Sequence, residues 1–187
     1  TRFSSSFRES ELKYDELLAR SIRLKAESEG IDFVVPEQIS ESNPTLSENE
    51  QALYNSRQRE LNSAIRVLKQ QEIQRQQELV ERRAKQTQLK LSYELSNEEL
   101  TMSEPLVAAG VMSEVELLRL RRTVNEIHGE MEANRLAIPR IRAALKEAKQ
   151  KIEEQMFEFR AAAASQFSEV DAELARTKET VFSSKDR

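Results

Sequence analysis

The side chains that could do acid–base, nucleophilic or metal chemistry are few and scattered. His128 is the single histidine, and there is no cysteine. One imidazole cannot build a histidine-based metal cluster or a triad with a spare base, and thiolate zinc sites and disulfides are excluded. Carboxylate pairs such as Glu98 with Glu99 and Glu153 with Glu154 have the right type for general acid–base work. They sit inside charge-rich stretches and read as solvated helix faces. Arg119, Arg121 and Arg122 form a basic cluster that a phosphate could use, and they read more simply as a helical face pairing with nearby glutamates. His128 follows the apolar Ile127 and reads as a residue flanking a seam. No nucleophile stands near a base by motif, so no enzymatic activity, cofactor or metal is expected.

The elements that carry these residues are helices. There are 3 Gly and 4 Pro in 187 residues, against roughly 12% in average usage. That shortage disfavours β-sandwiches, Rossmann domains and glycine-rich phosphate loops, because Gly and Pro punctuate turns. Charged residues make up 33% and aromatic residues 5%, which suits long helices with narrow apolar seams. The net charge of −4 does not suggest a nucleic-acid partner. No apolar run approaches the roughly 18 residues that cross a bilayer. The chain begins Thr1-Arg2-Phe3 without a signal-peptide pattern, and is expected to be a piece of a longer protein.

The spacing predicts one α-helical domain over residues 1–187, built as a long antiparallel coiled-coil hairpin with a third, shorter helix near its base. The first helix is expected over 6–29, with Phe7, Tyr14, Leu17, Leu18, Ile22 and Leu24 on one side and Gly30 as its stop. A loop over 30–46 follows, containing Pro36, Asn43 and Pro44. The second helix covers 47–108, with a seam of Leu61, Ile65, Leu68, Leu79, Leu89, Tyr93 and Leu100 and a weak, Gln-rich zone between Lys69 and Glu78. The third covers 113–182. Its seam steps by 3 and 4 through Leu117, Leu120, Val124, Ile127, Met131, Asn134, Ile138, Ile141, Leu145, Ala148 and Ile152. Pro139 lies inside it and is expected to bend or break it. Each start carries S-x-x-E, with Ser6, Ser47 and Ser113 as expected caps.

Between the two long helices only residues 109–112 are left as a tip. So short a connection makes the helices antiparallel neighbours, and pairs positions whose numbers sum to about 220. Leu79 then faces Ile141, Leu61 faces Phe159, and Gln86 meets Asn134 as one polar layer. At the tip Leu106, Val107, Val111 and Met112 place apolar groups on a turn with no core beneath it. Either they pack locally, Leu106 against Val111 or Leu117 with Ser113 as a plain cap, or something docks there.

The stretch Leu106 to Arg122, through Ala109-Gly110-Val111-Met112-Ser113-Glu114, resembles the hairpin tip of HlyD-type periplasmic adaptors, the membrane fusion proteins of type I secretion systems. That family's tip motif is Arg, then Leu four residues on, then Ser seven further. Leu106 and Ser113 keep the spacing, and Met102 stands at the Arg position. Val124-Asn125-Glu126-Ile127, Gly129-Glu130 and the early Arg23-Leu24-Lys25-Ala26-Glu27 are similar to the same branch. The resemblance implies a periplasmic hairpin whose parent is anchored in the inner membrane. It implies an inner-membrane ABC transporter and a TolC-like outer-membrane channel as partners, and self-association into a ring, six-fold in most of the family. It makes Met102, Leu106, Val111, Met112 and Ser113 the partner-binding residues. The mechanism is then mechanical and sealing. A generic coiled-coil spacer would share the heptads, and a membrane-bending helical crescent would want a basic face that the acidic balance disfavours.

Overall fold

The computed structural model describes the backbone of residues 2–185 and the side chains of residues 8–181. Among them every regular element is helical: α1 (Arg2–Glu29), α2 (Glu37–Ser42), α3 (Pro44–Ala108) and α4 (Glu114–Lys185). The chain divides into two compact units, Thr1–Val67 with Lys151–Arg187, and Leu68–Gln150.

In the first unit α1 packs on the early part of α3 and the late part of α4. It runs antiparallel to α4, since Lys13 pairs with Glu173 and Leu17 packs with Val170. It runs parallel to α3, since Arg23 reaches Glu50 and Glu27 reaches Arg57. Leu17, Leu24 and Val170 form one core with Phe167 and Leu174 around them. Ala26, Phe33 and Tyr54 form another, flanked by Ile22 and Val35. Three helices can bury these residues where two could not. Gly30 ends α1 in the left-handed region at φ +72°. Its N–H and that of Ile31 both donate to the Ala26 carbonyl, at 2.9 and 3.0 Å.

Three expected boundaries are corrected. α1 begins at Arg2, so Ser6 lies inside it and is not its cap. Residues 2–5, Arg-Phe-Ser-Ser, hold no Gly or Pro to stop a helix. The side chains of Ser6 and Phe7 lie outside the described residues. The connection after Gly30 is not irregular throughout: residues 31–36 form no regular element, and α2 then forms around the buried Ile39. α3 starts at Pro44 rather than at 47. Asn43 is its cap, its Oδ1 accepting the Leu46 N–H at 3.2 Å. Proline fits the first helical position because its missing N–H has no partner there, and asparagine outranks most residues before it. Ser47, one turn in, bonds the Ser40 hydroxyl at 3.2 Å instead.

The second unit is a two-helix seam. Leu79, Ile141 and Leu145 form its core, with Ile138 packed against them. Every α4 seam residue from Leu117 to Ala148 is buried or half-buried, as are Leu79, Leu89, Tyr93 and Leu100 of α3. Leu79 with Ile141 and Gln86 with Asn134 show the expected register. The Asn134 amide donates to Gln86 Oε1 and to the Arg82 carbonyl, both at 2.9 Å. α4 continues through Pro139 without a break. The proline removes one backbone bond, at roughly 3 kcal/mol or more, while its neighbours Ile138 and Ile141 are held in the core.

Candidate docking site at the hairpin tip

α3 stops by a complete Schellman turn. Gly110 takes φ +74°, which only a residue without Cβ adopts freely. Its N–H bonds the Val107 carbonyl at 3.0 Å, and the Val111 N–H reaches back to Leu106 at 2.9 Å. Ser113 then starts α4. Its hydroxyl accepts the Val115 N–H at 3.2 Å, and its carbonyl accepts from Glu116 and Leu117, both at 3.1 Å. The turn is thus closed by its own backbone, and none of its apolar side chains is needed to hold it.

Those side chains face water. Val111 is 74% exposed, Met102 64% and Leu106 43%. Met112 is half-buried and Ser113 exposed. The seam closes just below, at the buried Leu117 and Ser103. Val111 therefore has no local packing partner that takes it out of solvent, and Leu106 is covered only in part. Arg121 reaches across to Glu104 at 3.1 Å, an exposed pair between the two helices. The other members of the basic cluster, Arg119 and Arg122, are exposed. Chemically the tip offers apolar contact and little else.

No group of acids, histidines or cysteines among the described residues could hold a metal ion. The His128 ring lies 5.4 Å from that of Tyr93. Glu132 is held below the usual carboxylate range by its hydrogen bond from Arg135, with both on the surface of α4. A hollow of about 220 Å³ in the first unit is lined by Glu27, Asp32, Tyr54 and Arg160 among others. The Glu27 carboxylate there is already committed to guanidinium groups.

That commitment is the feature not foreseen from the sequence. Glu27 is 1% exposed. It accepts from Arg23 at 3.0 Å and from Arg57 Nε at 3.0 and 3.1 Å. Arg23, also buried, donates to Glu50 at 2.6 Å, and Arg57 stacks 5.5 Å from the Phe159 ring centroid. The available signal was an Arg and a Glu four apart with Leu24 and Ala26 between them, a charged pair on an apolar face.

No helix among the described residues is long and apolar enough to cross a membrane. A comparison with curated proteins gives no match. Among solved structures the chain is similar to the soluble domain of LipC, described as a membrane fusion protein of a type I secretion system. The TM-score is 0.85 at 16% identity, over 99% of this chain and 90% of that one. At that identity the likeness speaks for the fold. The family profile described as "AprE, long alpha-helical hairpin" matches residues 3–187, and on that match the chain belongs to the AprE long α-helical hairpin family.

Proposed function

We propose that residues 1–187 act as one hairpin domain of a type I secretion adaptor, and that its tip docks the periplasmic end of a TolC-like outer-membrane channel. The observation that carries this reading is the exposure of Leu106, Val111 and Met102 on a turn that needs none of them for its own closure. Burying apolar surface is worth roughly 25 cal/mol per Å², so such a patch favours a partner that covers it. Family membership and the likeness to LipC support the same reading. In it the parent sits in the inner membrane beside an ABC transporter, the hairpin stands in the periplasm, and copies associate as a ring, with six as the expected number. The domain holds and seals; it does no chemistry.

The test is Leu106→Asp in the full-length protein. Secretion is expected to fall at least tenfold while far-UV circular dichroism and melting temperature stay unchanged. Normal secretion by that variant would overturn tip docking and leave a coiled-coil spacer as the better description.

A further inference from the structure

Pro105 sits in the last turn of α3, and it changes what the tip offers a partner. Proline has no N–H, so the Thr101 carbonyl loses the donor that a helix supplies four residues on. The carbonyls nearer the turn are occupied. Pro105 takes the Ala109 N–H at 3.0 Å, Leu106 takes those of Val111 and Met112 at 2.9 and 3.2 Å, and Val107 takes that of Gly110 at 3.0 Å. Thr101 and Pro105 are both exposed, so water serves the open carbonyl in the isolated chain. The Thr101 hydroxyl is engaged elsewhere, donating to the Asn97 carbonyl at 2.8 Å.

The surroundings give this acceptor a sign. Helix carbonyls point to the C-terminal end, which for α3 is the tip, and that end carries partial negative charge. At ~100° per residue, Glu98, Thr101, Met102 and Pro105 fall within about 100° of arc, on the side of α3 turned away from the seam of Leu89, Tyr93 and Leu100. All four are exposed. Glu98, one turn below Thr101, adds a full negative charge. Arg121, which crosses from α4, is held by Glu104 at 3.1 Å. A partner that covers Met102 and Leu106 also strips water from the Thr101 carbonyl. An acceptor left dry costs binding, so the partner must bring a donor. Beside Glu98 and the helix end, a cationic donor is the favoured kind.

We infer that the channel surface met by the tip presents a cationic side chain to the Thr101 carbonyl, next to an apolar group that covers Met102 and Leu106. Pro105 is the positioning residue, since it keeps that carbonyl open. The inference rests on the tip docking proposed above and names the chemistry on the far side of the contact.

The test is Pro105→Ala in the full-length protein. Alanine restores the N–H, so the Thr101 carbonyl is closed inside the helix and α3 gains a backbone bond. The melting temperature is expected to hold or rise, while affinity for the purified outer-membrane channel of its own system, in detergent, falls about tenfold. Each Lys and Arg of the channel's periplasmic loops is then changed to Met, one at a time. One of these changes should cost the same factor against the unsubstituted protein and nothing further against Pro105→Ala. Undiminished binding by Pro105→Ala, a melting temperature that falls along with binding, or the lack of any channel cation coupled to Pro105 would each overturn the inference. Leu106→Asp is read in the same assay. Normal binding by that variant means tip docking itself fails, whereas weakened binding by Leu106→Asp with normal binding by Pro105→Ala removes only the cationic donor.

Discussion

At Glu27 a single carboxylate ties two helices together, since it meets Arg23 on its own helix and Arg57 on α3, while Arg23 continues to Glu50, also on α3. Buried ion pairs contribute little net stability against an apolar replacement of the whole set, yet removing one partner strands the others. Glu27→Ala is therefore expected to cost about 3–5 kcal/mol, seen as an earlier loss of helicity on denaturant titration; a loss below about 1 kcal/mol would show that water already reaches the site. Gly110 tests the backbone instead. Nothing lies within 4 Å of a Cβ added there, so Gly110→Ala should register only the strain of φ +74°, roughly 1–2 kcal/mol. On the surface of α4, Arg135→Gln should raise the Glu132 midpoint toward the ordinary carboxylate value, followed by carbon NMR, because the hydrogen bond that depresses it is gone. The sign follows: a depressed midpoint favours the folded state above the unfolded value and loses that effect as pH falls. On a surface group paired only with a neighbour on its own helix, the influence on melting is expected to be negligible. The Glu27 network was hard to read in advance. Charged residues are exposed by default, and only the packing of a third helix reverses that for Arg23 and Glu27.

Between elements, what the sequence showed depended on periodicity. The α4 seam alternates steps of 3 and 4 without interruption, so its buried face was legible residue by residue. The register followed from the short turn, and the Gln86–Asn134 layer followed from the register. α2 was not legible, because six residues around one isoleucine have no period to detect. The start of α3 was misplaced because S-x-x-E at Ser47 looked like a cap while Asn43-Pro44 is the cap in fact. Pro139 was expected to bend or break α4; the helix does not break there, because core packing on both sides outweighs one lost bond. The tip residues were legible as apolar and out of place, and their exposure is what the turn geometry adds. The polar layer itself makes a prediction. Asn134 is buried, and its Oδ1 finds no hydrogen-bond partner, which costs roughly 1–3 kcal/mol. Asn134→Leu is expected to raise the melting temperature by several degrees. It should also relax the register, because one polar residue in an apolar seam penalises slipped alignments. Cysteines at Leu79 and Ile141 measure this: their crosslinking should be near complete with Asn134 present and incomplete with leucine there. A lower melting temperature for the leucine variant would mean that the layer stabilises as well as aligns.

For the molecule as a whole, the two units differ in how they are held. The first has α1, the short α2, the early part of α3 and the late part of α4, with two apolar clusters and a buried charge network. The second has two helices and one narrow seam in which Leu79, Ile141 and Leu145 are the main cluster. Local stability follows buried contacts, so opening should begin where the seam is narrowest. Native-state hydrogen exchange is expected to show amides of Leu68–Gln150 exchanging through smaller openings than those of α1 and its partners. Leu79→Ala removes a side chain that is 4% exposed, at about 2–5 kcal/mol. It should speed exchange throughout Leu68–Gln150 while leaving the protected amides around Leu24 unchanged. Leu24→Ala, at a fully buried position, should do the reverse. If either substitution accelerates both regions equally, the units unfold as one cooperative body. The local opening expected of the tip-bearing unit would then be absent. If the regions separate, the part of the chain that carries the proposed docking surface can adjust to a partner while the first unit stays folded.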